Sequence, residues 1–185
     1  MTAKTLGRLR HFGRDKRGAS AIEFALLAPL MIGLYIGCVE ISEGIAAYRK
    51  VTLTAGALAN LAAQVTTISP ADKDNLFAAA TAIMSPYTGT TSVKLSCLKI
   101  DDAGIAKVKW GVASASVTPR ADGDVVTIPV NLAIPDSWLL FSEISYLYIP
   151  VTGFSHIAAS GKELSDEMYM SPRITAPVYD GKACN

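Results

Sequence analysis

Residues 17–24, Arg-Gly-Ala-Ser-Ala-Ile-Glu-Phe, and the apolar run that follows them at 25–39 decide the fold of this chain. Residues 19–39 form a stretch in which Glu23 is the one charged side chain. At about 1.5 Å per residue, these roughly 21 residues would make about 31 Å of helix, close to the hydrocarbon thickness of a bilayer. Membrane helices also tolerate proline and glycine. We therefore predict a transmembrane helix that includes Ala25, Pro29 and Val39.

Glu23 is the unusual residue of this stretch. A carboxylate in hydrocarbon costs about 2.5 kcal/mol or more, so it needs a cationic partner. The next cation along the chain is Arg49, too far to pair within the same span. The partner would have to come from upstream, from another chain or from chemistry that creates a cation. Cleavage after Gly18 would create one, because the new α-amine on Ala19, with a reference pKa of about 7.7–8.0, would be largely protonated at neutral pH. That amine would lie four residues before Glu23, on the same helical face.

This arrangement resembles the type IV prepilin signature, in which a basic leader ends in glycine and a glutamate is fifth in the mature chain. More narrowly, Gly-Ala-Ser-Ala-Ile-Glu-Phe-Ala-Leu-Leu-Ala-Pro-Leu at residues 18–30, followed by Gly37 and Glu40, is similar to the TadE-like proteins of tight-adherence (Flp) pilus systems. Those proteins are pseudopilins or minor pilins. The resemblance therefore implies a structural role in pilus assembly and a pilin-like fold.

The resemblance also implies site residues and partners. A prepilin peptidase would cut between Gly18 and Ala19, and Glu23, with Phe24 beside it, would set the register of subunits. The expected partners are the peptidase, other pilins and pseudopilins, the inner-membrane assembly platform and membrane lipid. An alternative remains open, in which Gly18 is a linker, Glu23 lies near the headgroups, and the chain is an uncleaved bitopic protein presenting a periplasmic binding domain.

Charge and length predict the topology and three regions. Residues 1–18 carry a net charge of +5, so the rest of the chain carries −4 of the total of +1. A basic segment directly before a span remains in the cytoplasm, which would place the C-terminal part in the periplasm, with incorporation into an extracellular pilus left open. No recognition motif for nucleic acid accompanies the basic leader. We predict a leader at 1–18, a transmembrane and extended amphipathic helix at 19–66, and an outer domain at 67–185.

The outer domain is predicted to be α+β, with a long helix packed on a small antiparallel sheet. The long helix would continue along a stripe of Leu58, Leu61, Val65 and Ile68, unless it breaks near Gly44. A second helix is expected between the cap Ser69-Pro70 and the stop Ser85-Pro86. Alternation and turn signals predict strands at Ser92–Ile100, Ile105–Ala113 (Val108 and Trp110 on one face), Val125–Ile134 and Leu147–Ala158. Ser137–Ile144 looks helical or looped, and residues 160–185 look like a surface tail.

The three cysteines differ in their predicted environment. Cys38 lies inside the apolar span, where a small thiol packs well. Cys97 and Cys184 would both be on the oxidising side of the membrane, and we predict a disulfide between them, with two free thiols as the alternative.

Nothing in the sequence indicates an enzyme or a cofactor. The two histidines are His11 and His156, and Ser155 beside the latter would point to the opposite face of a strand. The aspartates at 101–102 and 122–124 are too few for a calcium site, and no metal-ligand spacing or phosphate loop occurs.

Overall fold

The predicted α+β class is confirmed by a computed structural model, which describes residues 17–87, 89–150 and 161–184. The chain divides into two compact units, one ending at Ser42 and one spanning Glu43–Asn185. The helices are α1 (Arg17–Ala62) and α2 (Pro70–Met84), with a short 3₁₀ helix at Val130–Leu132. The strands are β1 (Thr67–Ile68), β2 (Thr91–Ile100), β3 (Ala106–Ala113), β4 (Val125–Val126), β5 (Trp138–Tyr148), β6 (Lys162–Met170) and β7 (Val178–Tyr179).

Helix α1 is a single helix of 46 residues that contains Pro29, so a break at Gly44 does not occur. Residues Ser20–Ala62 are long and apolar enough to cross a membrane, with a mean hydropathy of 2.0 over the best 18 residues. None of that 18-residue window is buried by the described part of the chain. By length and composition, α1 is therefore a candidate membrane span.

Within the second unit, α1 buries a face made mostly of alanine. One row of fully buried side chains recurs every three or four residues, at Ala47, Val51, Ala55, Leu58 and Ala62, and the fully buried Thr54 and Ala59 lie beside it. The predicted stripe was wrong in part, since Leu61 and Val65 are each 40% exposed. Small side chains let the helix backbone approach the sheet, and the Ser142 hydroxyl donates a hydrogen bond to the Ala55 carbonyl at 2.7 Å.

Helix α2 begins and ends as predicted. Ser69 and Asp72 form a capping box, in which the Ser69 hydroxyl accepts from the Asp72 backbone N–H and the Asp72 carboxylate accepts from the Ser69 backbone N–H. Pro70 occupies the first helical position, where its missing N–H costs nothing. The helix ends at Met84, directly before Ser85-Pro86. Its buried residues are Phe77, Ala80 and Met84.

The main sheet is antiparallel, with strand order β4-β3-β2-β5-β6. One face carries the core shared with α1 and α2, and the other carries a smaller apolar cluster. A bulge in β3 lies between Val108 and Trp110. Trp110 pairs with Cys97, whereas Val108 pairs with Leu98, the next residue of β2. Trp110 therefore belongs to the helix-side core and Val108 to the other cluster. The prediction that both lie on one face was wrong, because the extra residue at the bulge reverses the alternation.

Strand β5 corrects the helical or looped reading of Ser137–Ile144. It is an 11-residue strand that pairs with β2 on one side and β6 on the other. Because both of its faces are covered, its sequence opens with the continuous apolar run Trp138–Phe141 rather than an alternating pattern. The strand ends at Tyr148, and most of the predicted Leu147–Ala158 strand lies outside the described residues.

Strand β4 is much shorter than the predicted Val125–Ile134. It contains two residues at the edge of the sheet, and the chain then turns into the 3₁₀ helix at Val130–Leu132. Pro129 precedes that helix and has no N–H to donate to a ladder, which limits the strand. The side chain of Val130 is 88% exposed.

The C-terminal region is part of the fold, so its reading as a surface tail was wrong. Residues Lys162–Met170 form β6, and residues 171–184, here called the strap, cross the core. The strap pairs β7 with β1 in parallel, and the Trp110 indole N–H donates to the Pro177 carbonyl at 3.0 Å. Cys184, at the end of the strap, is buried in the core. Strand β6 was not predicted because its composition is polar, and an edge strand buries few of its side chains.

Candidate functional site: the apolar segment of α1 around Glu23

The predicted cleavage position lies in the first turn of α1. Gly18 is exposed, and a Cβ atom added to it would meet no other atom within 4 Å. Ala19 follows it in the helical backbone. A larger side chain at Gly18 would therefore leave the fold unchanged, which makes this glycine dispensable for structure.

Glu23 lies one turn further along α1, with its side chain exposed. Phe24, the next residue, is 73% exposed. Among the described side chains no cation lies within ion-pair distance of the Glu23 carboxylate. The partner that a carboxylate in hydrocarbon requires is therefore not supplied by the described part of the chain.

The surface around Glu23 is apolar and uncovered. Among the described residues of the first unit, ten large hydrophobic side chains are each 57–73% exposed: Ile22, Phe24, Leu26, Leu27, Leu30, Met31, Ile32, Leu34, Tyr35 and Ile41. Exposed apolar area on this scale marks a surface that contacts lipid or other proteins. In the described part of this unit, no side chain covers this surface.

Three further predicted positions define the course of the span. Pro29 has no N–H, so the Ala25 carbonyl one turn before it receives no helical hydrogen bond. Val39, near the end of the apolar run, is 40% exposed. Beyond it, the Ser42 hydroxyl donates to the Cys38 carbonyl at 2.8 Å, a local bond that satisfies a hydroxyl without solvent.

The cysteines occupy two environments. Cys97 in β2 and Cys184 in the strap form a disulfide with a Cα–Cα distance of 6.0 Å. Both residues are fully buried, which protects the bond from reductants. Cys38 is a free thiol on the exposed surface of α1.

The second unit contains ion pairs but, among the described residues, no assembled catalytic group. Arg120 donates two hydrogen bonds to the Glu143 carboxylate, at 2.7 and 2.8 Å, and this raises the pKa of the guanidinium. The Asp101 carboxylate accepts from the backbone N–H of Ile105, and this bond together with Lys107 lowers its pKa. Within the described ranges, no three His, Cys, Asp or Glu side chains come together to hold a metal ion.

A cluster of tyrosines near Glu43 was not anticipated from the sequence. The Tyr87 hydroxyl donates to the Glu43 carboxylate at 3.4 Å, and the ring of Tyr87 contacts that of Tyr146 edge to face, with centroids 6.1 Å apart. A Cβ atom at Gly44 would lie 3.7 Å from the Tyr148 ring. The signal was the pair of tyrosines two residues apart at the end of β5, but the sequence does not show that this end lies beside Glu43.

The comparison with protein families gives a match to the TadE-like proteins at residues 18–59. The match begins at Gly18 and covers nearly all of α1. Comparisons with curated proteins and with solved structures gave no match. This pilus-associated family is structural rather than catalytic, and it suggests a role in tight-adherence pilus assembly. The family match thus confirms, over residues 18–59, the resemblance to TadE-like proteins of the tight-adherence pilus system.

Proposed function

We propose that this chain is a prepilin-like subunit, cleaved after Gly18, that works as a pseudopilin or minor pilin in building a tight-adherence pilus. Residues 1–18 are the cytoplasmic leader, residues 19–66 span the membrane and extend beyond it, and residues 67–185 form the periplasmic domain. Its partners are the prepilin peptidase, other pilins and pseudopilins, and the inner-membrane assembly platform. The membrane-spanning helix anchors the periplasmic domain to the membrane until the subunit enters a filament.

The observation that carries this proposal is the carboxylate of Glu23 within the apolar, exposed first part of α1. Glu23 has no cationic partner among the described side chains, and its neighbours Ile22 and Phe24 are 65% and 73% exposed. Cleavage after Gly18 frees an amine on Ala19, about 6 Å along the helix axis from Glu23. In a bundle of such helices, the amine of one subunit pairs with Glu23 of its neighbour. This pairing fixes the register of the helices and offsets the cost of the buried charge.

Two other findings support the proposal. The family match starts at Gly18, the residue before the proposed cut, and excludes the basic residues that precede it. The buried disulfide between Cys97 and Cys184 fits an exported domain, because disulfides persist in oxidising compartments. Major pilins of this system are very short by family resemblance, so a mature chain of this length favours a minor or accessory role.

The first experiment compares Gly18→Val with Gly33→Val in the native cell. A Cβ atom added at either glycine would meet no other atom within 4 Å, so neither change disturbs the fold. We expect Gly18→Val to retain the leader, seen as an intact mass, and to reduce piliation. Gly33→Val should be cleaved normally and serves as the matched control.

The second experiment separates cleavage from assembly. Glu23→Gln removes the charge with almost no change of shape, so the chain should still start at Ala19 while fewer filaments form. Normal filament number and length in both Gly18→Val and Glu23→Gln would contradict the proposal. The chain would then be an uncleaved bitopic protein that presents a periplasmic binding domain.

A further inference from the structure

We propose that the outer side of strand β6, here called the β6 edge, is a docking site for a basic, extended segment of a partner protein. The segment adds to the main sheet as a further strand. Strand β6 (Lys162–Met170) ends the order β4-β3-β2-β5-β6, and among the described residues β5 is its one paired neighbour. The inference concerns the second unit by itself and does not require cleavage after Gly18.

The two edges of the main sheet differ in how well they are protected. Strand β4 forms one edge with two residues, and a very short strand is a common protection against unwanted pairing. Strand β6 forms the other edge with nine residues and pairs with β5 along all of them without a bulge. It contains no proline, so its charged side chains are the one protection it carries. Those charges exclude some partners and admit others.

The hydrogen bonds of β5 and β6 show which backbone groups form the β6 edge. The Leu147 N–H in β5 donates to the Thr90 carbonyl on the side of β2, so the backbone groups of its pair partner Glu163 point away from β5. The Glu167 N–H also lies outside the ladder, since it donates to the Asp166 carboxylate at 2.9 Å. Every second residue from 163 to 167 therefore turns its N–H and C=O outward. No described strand pairs with these groups, which leaves them for an added strand.

The β6 edge is also negatively charged. Five charged side chains line a cavity of about 340 Å³ beside it: Lys94, Glu143, Glu163, Asp166 and Glu167. Four of the five are carboxylates, so their net charge is −3, and the ion pair of Arg120 with Glu143 reduces this to −2. Among the described side chains, no cation lies within ion-pair distance of Glu163 or Glu167. These two carboxylates are therefore open to a cation from outside.

This charge selects a basic strand rather than a second copy of the chain. Antiparallel pairing of β6 with itself about Ser165 would place Glu163 opposite Glu167 of the partner subunit. Like charges directly opposite each other destabilise a strand pair. A strand with lysine or arginine at alternate positions instead places cations opposite Glu163 and Glu167, and its other residues keep the same backbone pairing. The partner that fits the β6 edge is thus an extended segment with alternating basic side chains.

The test measures binding of a fluorescent synthetic peptide to the full chain in nanodiscs of zwitterionic lipid, which attracts a basic peptide weakly. The probe alternates valine with lysine over about seven residues, slightly less than the length of β6. We expect saturable binding by fluorescence anisotropy, with empty nanodiscs as the blank. Glu163→Lys should weaken binding by roughly tenfold or more, because the lysines of the peptide then face a like charge. Asp102→Lys makes the same change of charge between β2 and β3 and should bind as the wild-type chain does.

A second peptide distinguishes strand addition from charge attraction alone. It has the same sequence with every backbone amide methylated, so it keeps its lysines but cannot donate a hydrogen bond to the β6 edge. We expect it not to bind, and binding equal to that of the unmodified peptide would overturn strand addition. No binding of the unmodified peptide, or equal binding to the wild-type chain and Glu163→Lys, would overturn the docking site itself. None of these results depends on the leader, so failure here leaves the proposed prepilin role to its own tests.

Discussion

Reduction of the Cys97–Cys184 disulfide should loosen the strap and lower the stability of the second unit substantially. The bond closes a loop with a sequence separation of 87 residues. The chain-entropy relation assigns such a loop about 4.6 kcal/mol at 25 °C. The strap also loses its anchor beside Trp110, whose indole N–H bonds to the Pro177 carbonyl and whose ring packs 5.6 Å from that of Tyr179.

The assay is urea unfolding of the full chain in nanodiscs, followed by tryptophan emission with and without a thiol reductant. With a denaturant dependence of roughly 2 kcal/mol per molar urea, the midpoint should fall by about 2 M on reduction. Cys184→Ser should reproduce the effect in oxidising buffer. Cys38→Ser, which removes the free thiol, should leave the midpoint unchanged.

A midpoint shift smaller than about 0.5 M would refute this reasoning. It would mean that the backbone pairing of β7 with β1 and the bond from Arg173 N–H to the Ala63 carbonyl hold the strap without the covalent link. Protease cleavage within the strap provides an independent readout. Cleavage should accelerate on reduction in the wild-type chain but not in Cys184→Ser, which is already unlinked.

Three further changes test the packing, the ionisation and the capping of the second unit. Ala55→Leu should destabilise it by about 1–3 kcal/mol in urea unfolding, because that fully buried alanine sets the distance between α1 and the sheet, whereas Ala46→Leu on the exposed side should cost almost nothing. Burial and the nearby Glu167 raise the pKa of Tyr169 from 10.0 to about 12, so the urea midpoint should fall as the pH rises through that range, and Tyr169→Phe should remove this loss. Ser69→Ala should lower the unfolding free energy by about 1 kcal/mol, since it removes the side-chain cap of α2.

Local signals in the sequence predicted the parts of the fold that local physics determines. The capping box at Ser69 and Asp72 marked the start of α2, and the Ser85-Pro86 pair marked its end. The apolar run after Gly18 predicted α1, because the length and hydropathy of a candidate membrane span can be read from the sequence without knowing what packs against it. Strand β2 could be predicted because its first residues alternate between buried and partly exposed side chains.

Parts of the fold that depend on distant neighbours could not be predicted in this way. The apolar start of β5 follows from cover on both of its faces, which depends on strands and helices far away in sequence. The reversal of face between Val108 and Trp110 requires a bulge that no residue type announces. Strand β6 is an edge strand rich in charge, so its composition is that of a loop.

The candidate site shows the same division. Gly18 and Glu23 form a local pattern that was visible in the sequence, together with the need for a cationic partner. The tyrosine cluster near Glu43 was not visible, because Tyr87 bonds to Glu43 and Tyr148 comes near Gly44 only once the sheet has placed the end of β5 beside these residues. The alanine face of α1 could not be predicted either, because nothing in the sequence shows that the sheet packs against those alanines.

The mass of the mature chain, extracted from the membrane of its native cell, tests the central claim most directly. We expect a chain whose first residue is Ala19, with the leader up to Gly18 removed, in wild-type cells and in Glu23→Gln cells alike. A chain that keeps the basic leader in cells with normal pili would contradict it, because Glu23 would then have no new amine to meet.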